Sequence, residues 1–285
     1  MSRIEFDYAQ IGGVKLHYAK SGDGERLVLL LHGFPEFWHS WRHQLDALSD
    51  DYTVVAPDLR GYNWSDKPSG VGEYKIDKLV DDVLGLIRHF GREQAAVVGH
   101  DWGALIAWTL AAEYPDAVSK LVCMQAPPPF LGRKNMTFRQ LLAGWYIFFF
   151  QIPALPEWIF RQNDFAVGER FFRAAAADPT FFSDEEIAMY KESWSEPGAL
   201  TAAINYYRAN FFANIINPPQ PVKITVPTLF IYGEKDTAVL PETVRNVKDA
   251  VEAHYEEVRI PDSGHWVQQE AAEAVNDTLL EFLNE

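Results

Sequence analysis

Apolar residues along the chain fall into short β-rich runs that alternate with longer segments of helical period. Residues 3 to 20 alternate apolar and polar positions on either side of Gly12-Gly13, which predicts two strands joined by a tight turn. Six further runs read as strands: Leu27 to Leu31, Tyr52 to Ala56, Ala95 to Val98, Lys120 to Met124, Thr228 to Tyr232 and Glu257 to Ile260. Between them, residues 77 to 91 put Leu79, Val80, Val83, Leu86, Ile87 and Phe90 on one helical face, with Asp77 as candidate N-cap and Gly91 as stop. Residues 103 to 114, 242 to 253 and 270 to 284 carry helical spacing too. Strands alternating with helices predict a mostly parallel, eight-stranded sheet, because parallel neighbours need crossover connections.

The alternation stops at Phe130 and resumes after Pro219; the stretch between is aromatic and helical, with no convincing strand. Proline clusters at 127 to 129 and 218 to 221 bound it. The domain reading is a sheet core in two parts, 1–129 and 219–285, with a helical cap inserted at 130–218. No internal repeat and no low-complexity tract appears.

Composition narrows the partners. The 285 residues carry a formal charge of −15, and a uniformly negative field disfavours nucleic acid and anionic membrane surfaces. A neutral or weakly polar small substrate fits better. The single cysteine, Cys123, excludes an intrachain disulfide and makes the cytoplasm the default compartment. Charged residues interrupt the first ten positions where a secretory signal would be apolar, so no cleaved leader is expected. The most apolar segment, Trp145 to Phe160, is broken by Gln151, Pro153, Pro156 and Glu157, well short of the ~20 residues that span a bilayer. It reads as buried or pocket-lining, with no transmembrane segment. No metal-ligand cluster and no phosphate-binding glycine loop is seen, so no metal or other cofactor is expected; a homodimer is left open.

Chemistry concentrates at Val98-Gly99-His100-Asp101-Trp102-Gly103-Ala104, between an apolar strand and a helix. Glycines two positions either side of Asp101 let a sharp turn lift that side chain above the sheet, the shape of a nucleophile elbow. A carboxylate with an ordinary pKa near 3.9 is ionised at neutral pH and attacks without a general base. It adds at saturated carbon and leaves an alkyl ester to be hydrolysed. The plainer alternative is that Asp101 caps the following helix.

Asp262-Ser263-Gly264-His265-Trp266 follows the last strand and puts His265 on a loop at the carboxyl edge of the sheet, where ligands bind in such folds. The run TLFIYGEKD, 228 to 236, ends in Asp236, placed to accept the Nδ1 proton of His265 and fix the tautomer that activates water; Glu234 is the local competitor. His32-Gly33-Phe34-Pro35 offers the backbone N–H of Phe34, beside that of Trp102, as an oxyanion hole for the ester carbonyl.

HGFPEFWHSWR at 32 to 42, DLRGY at 58 to 62, GHDWGA at 99 to 104, GEKD at 233 to 236 and SGHW at 263 to 266 resemble the epoxide hydrolases of the α/β-hydrolase superfamily, in the same order and over nearly the whole chain. The resemblance implies an α/β-hydrolase fold and hydrolysis of epoxides to vicinal diols. It extends to YIFFFQ at 146 to 151 and NYYR at 205 to 208, which are similar to the segments that each supply a ring-opening tyrosine, here Tyr146 and Tyr207. An opening epoxide generates an alkoxide, far more basic than a phenolate, so a phenol can donate a hydrogen bond and then a proton. A halide leaving group needs none. The haloalkane dehalogenases share the HDW elbow, but Phe34 stands where they often carry an asparagine. Fluoroacetate dehalogenases place arginines where Trp102 and Leu105 stand. A non-catalytic ligand receptor is the alternative from another class. Trp38, Trp102, Phe149 and Trp266, with neighbouring Phe148 and Phe150, are candidate substrate-binding residues for a small apolar epoxide, with water as the second reactant.

Overall fold

The computed structural model describes residues 4–216 and 218–285, without the side chains of 212–215. The start of the first predicted strand at residue 3 lies outside the described residues. Eight strands form one sheet: β1 (Glu5–Ile11), β2 (Val14–Ser21), β3 (Arg26–Leu31), β4 (Tyr52–Pro57), β5 (Ala95–His100), β6 (Val118–Met124), β7 (Thr228–Gly233) and β8 (Tyr255–Ile260). Their order is β1-β2-β4-β3-β5-β6-β7-β8. The β1–β2 hairpin joins antiparallel through β2 and β4, and every pair from β4 to β8 is parallel.

Helices cover both faces. Before the insertion come α1 (Arg42–Ala47), α2 (Ile76–His89) and α3 (Trp102–Glu113). Between β6 and β7 lie α4 (Pro129–Lys134), α5 (Phe138–Ala143), α6 (Trp145–Phe149), α7 (Leu155–Arg161), α8 (Ala166–Ala175), α9 (Asp184–Ser195) and α10 (Ala199–Ile216). The chain ends with α11 (Val267–Glu270) and α12 (Ala272–Asn284). Strand periodicity assigns the layers. Leu27, Leu29 and Leu31 point to the α2–α3 side, whereas Val28 and Leu30 point to the α1–α12 side with Trp41, Leu45, Val275 and Phe282. Because both faces are covered, the central strands are buried throughout except Arg26 at the start of β3, and read as largely apolar runs.

Three local expectations are corrected. Asp77 is not the cap of α2; the extended residue before the helix is Lys75, and Asp77 sits in the first turn near the positive end of the helix dipole. Gly91 does end α2, with its amide on the Arg88 carbonyl and that of Arg92 on Ile87, the paired bonds of a Schellman motif. Residues 242 to 253 form only a short 3-10 turn, Val247–Ala250, because Asn246 turns left-handed (φ 63°) and Val251 bridges to Ile224 in extended form. The predicted helix 270 to 284 is α11 and α12, broken at Ala271 (φ −125°).

Candidate active site

Asp101 is the single residue between β5 and α3, with φ 50° and ψ −114°. Such a backbone costs a non-glycine residue of order 1–3 kcal/mol and persists only where its surroundings dictate it. Close packing does so here: a Cβ on Gly99 would fall 2.3 Å from the Gly103 carbonyl oxygen, and one on Gly103 2.0 Å from that of Leu31. Asp101 occupies the cap position of α3, yet its side chain makes no capping bond. The carboxylate is spent elsewhere. Oδ1 accepts the Phe34 amide at 2.9 Å, and Oδ2 lies 4.0 Å from His265 Nε2. Trp102 opens α3, so its amide is a helix N-terminal donor with no acceptor inside the helix.

The His265 ring is buried, with Nδ1 2.9 Å from Asp236 Oδ2. The other oxygen of Asp236 accepts the amides of Ala238 and Val239 at 2.7 and 3.0 Å, which fixes the carboxylate before the imidazole arrives. Glu234 is exposed and does not compete. Burial disfavours the imidazolium, but the carboxylates of Asp236, Asp101 and Glu36 outweigh it and raise the His265 pKa to about 9.

Three residues hold these loops together, two of them inside the sequence motifs. Glu36 is fully buried; it accepts the Gly33 amide at 3.0 Å, Gln268 at 2.8 Å and Gln269 at 3.1 Å, and pairs with His100 Nδ1 at 2.7 Å. The other nitrogen of His100 bonds the His265 carbonyl at 2.7 Å. Burial works against the Glu36 anion, yet His100 and the Gly33 amide keep its pKa below the ordinary value. Gln125, just past β6, donates to the Gly264 carbonyl and accepts the Gly233 amide at 3.0 Å. It joins the loops of Asp236 and His265. Spacing alone carries no signal for Gln125; the histidine inside GHDWGA and the glutamate of HGFPEFW carry one.

Over this polar floor lies an aromatic roof. Tyr146 on α6 and Tyr207 on α10 meet edge-on at 5.8 Å between ring centroids. Tyr207 also stands edge-on to Trp102 at 5.2 Å. Burial raises the pKa of both phenols; the Asp101 carboxylate raises both further and Asp236 adds to the effect on Tyr146, so both stay protonated. The neighbouring tyrosines are committed: Tyr206 donates to the Arg60 carbonyl at 2.8 Å and Tyr190 to Gln269 at 2.9 Å.

The expected pocket residues divide. Trp102 joins the tyrosines, but Phe149 turns to Trp145, and it is Phe150 that packs on Phe34, Tyr146 and Tyr207 at 5.1–5.7 Å. Phe148 is half exposed and faces away. Trp38 packs against Phe6 and Phe37, outside this group, and gives its backbone amide to Asp58. Trp266 is fully buried behind His265, stacked on Phe172 at 4.3 Å with its indole N–H on the Phe172 carbonyl. Phe171, unmarked by any motif, packs on Tyr146 at 5.2 Å. Among the described residues, the one group of side chains close enough to hold a metal is His254, Glu256 and Glu285, at the opposite end of β8 from the His265 loop.

The sequence matches the α/β hydrolase fold family over residues 26–272. It is 38% identical to the Bacillus subtilis AB hydrolase superfamily protein YfhM, over 99% of both chains. It is 39% identical to epoxide hydrolase 1 of Caenorhabditis elegans, covering 97% of this chain and 70% of that one. The crystal structure of a Bacillus megaterium epoxide hydrolase in complex with an inhibitor superposes with a TM-score of 0.87 at 32% identity, over 98% of this chain and 100% of the other. With its eight-stranded sheet and these relatives, the chain belongs to the α/β-hydrolase fold family and, within it, to the epoxide hydrolases.

Proposed function

We propose that the protein hydrolyses apolar epoxides to vicinal diols through a covalent ester on Asp101. The observation that carries this reading is the pair of protonated phenols, Tyr146 and Tyr207, packed edge-on at 5.8 Å on the roof of the Asp101 site. An epoxide oxygen held by both phenols presents its ring carbons to the carboxylate. Oδ2 forms the new C–O bond while the ring C–O bond breaks, and the departing oxygen takes a proton from one tyrosine. Oδ1, on the Phe34 amide, becomes the ester carbonyl oxygen.

Ester formation removes the negative charge at Asp101, one of those that hold His265 protonated. The imidazolium then gives its proton to the tyrosinate and turns into the base for the second step. Water deprotonated by His265 attacks the ester carbon, the amides of Phe34 and Trp102 receive the oxyanion, and collapse releases the diol and restores the carboxylate. Asp236 holds the imidazole throughout.

The helical insertion, residues 130–218, serves in this scheme as a cap on the core formed by 1–129 and 219–285. The haloalkane reading leaves the paired phenols without work, because a halide departs without taking a proton. Incubation with styrene oxide in heavy-oxygen water tests the scheme. Diol should appear, and repeated turnover should carry the label into the Asp101 side chain, read by peptide mass spectrometry. Halide release from haloalkanes without diol formation, or tight binding with neither, would replace it.

A further inference from the structure

The insertion has an outer face that the reaction does not use. Helices α5 and α6 run on almost as one, since the Gly144 amide between them still reaches the Gln140 carbonyl at 2.8 Å. The inward side of this rod carries Gln140, Tyr146 and Phe150. Its outward side carries Phe138, Leu141, Leu142, Trp145 and Phe148, at helical spacing, and all five are exposed, Phe138 to 74% and Trp145 to 58%. Among the described residues all five keep at least 43% exposure, with Phe148 edge-on to Phe211 at 5.3 Å.

Charge on this face runs against the rest of the molecule. The chain as a whole stands at −15. Between residues 126 and 163 the cations are Arg133, Lys134, Arg139 and Arg161, all exposed, and the single acid is Glu157, buried and bonded to Arg208 at 2.6 Å. Arg139 reaches Glu242 at 3.4 Å yet keeps 76% of its side chain in solvent. The repulsion from anionic surfaces expected of a uniformly acidic protein therefore does not hold here. A second copy of the chain is a poor occupant, because a two-fold contact would set this cationic patch against itself. An anionic bilayer complements both properties: Trp, Phe and Leu enter the headgroup boundary, and Arg and Lys meet lipid phosphates. Among the described residues no helix is long and apolar enough to cross a membrane, so the contact is peripheral.

We propose that the outer face of α5 and α6, from Phe138 to Phe148 with Arg133, Lys134 and Arg139 beside it, docks the protein reversibly on anionic phospholipid bilayers. If the proposed epoxide reading is also granted, the same rod carries Tyr146 on its other side, and substrates dissolved in lipid are delivered to it.

Flotation with vesicles tests the surface without any substrate. The protein should float with phosphatidylcholine vesicles containing about 30% phosphatidylglycerol, weakly with phosphatidylcholine alone, and less as salt rises to about 0.5 M. Trp145 fluorescence should be quenched by brominated lipid. A Phe138→Ser, Leu142→Asp variant should lose the bound fraction about tenfold, as should Arg133→Glu, Lys134→Glu, while both turn over a water-soluble epoxide normally. The proposal fails if the wild type does not float with anionic vesicles or the variants float equally well. It fails equally if light scattering finds a dimer that Leu142→Asp dissolves, which would give the face to a second copy. Vesicle binding without diol formation would leave the surface standing and remove the activity; diol formation without binding would do the reverse.

Discussion

The floor and the roof of the site are held by different forces. Asp101, Asp236 and His265 sit on loops at the carboxyl ends of β5, β7 and β8, and each is tied by directional hydrogen bonds to backbone or to another buried polar group. Tyr146 and Tyr207 hang from inserted helices and are positioned mainly by edge-on contacts among Phe34, Trp102, Phe150 and Phe171. Hydrogen bonds permit one geometry, and a lost partner leaves a buried group unsatisfied. Ring packing tolerates small shifts and shares its load. The floor should therefore fail all at once and the roof by degrees.

The largest effect should come from the floor. His265→Ala should lower steady-state turnover by about 10⁴-fold, the scale typical of removing one member of such a triad, while still opening the epoxide. Intact-protein mass spectrometry should then show a stable gain of one substrate mass; an unmodified protein with turnover intact would detach His265 from the chemistry. On the roof, Tyr146→Phe or Tyr207→Phe alone should slow ring opening partially, and the double variant by about 10²- to 10⁴-fold. Pre-steady-state measurement of ester formation separates the cases, and equal rates in the double variant and wild type would mean that the wrong pair has been chosen.

A smaller effect belongs to protonation. The pKa of His265 is raised to about 9 from an ordinary 6.5, so the stability gained from its imidazolium is fully present below about pH 6.5 and is lost as pH rises through about 9. The unfolding midpoint should fall across that window by scanning fluorimetry, and the slope should flatten in His265→Gln. The smallest expected change sharpens the assignment of the acid: Glu234→Gln should leave kcat/KM within about threefold, as expected of an exposed side chain. A large loss there would move the triad acid from Asp236.

The same contrast explains what could be read from the chain. The strands were legible because burial on both faces leaves continuous apolar runs, and the elbow because glycine is required two positions either side of Asp101. The partner of His265 was legible because loop and strand spacing leave few carboxylates in reach. The aromatic residues were not. Phe148, Phe149 and Phe150 are chemically identical neighbours, and only helix phase decides that Phe150 meets the tyrosines while Phe148 faces solvent. Trp38 and Trp266 pack apart from the tyrosines for the same reason: an indole near the motif residues packs into whichever apolar cluster lies closer. The short turns at 242 to 253 were hidden because Val244, Val247 and Ala250 are buried at a spacing that a helix also satisfies.

One latch has a wider reach than its size suggests. The His265 amide is bonded to the Ala175 carbonyl at the end of α8, and Glu270 clasps the amides of Gly264, Trp266 and Ala177 together. The end of α8 and the histidine loop are thereby a single mechanical part. Mutational drift at Ala175 to Ala177, or a graft of α8 from a relative, will be felt by the His265 loop. Amide hydrogen exchange at His265 would register it.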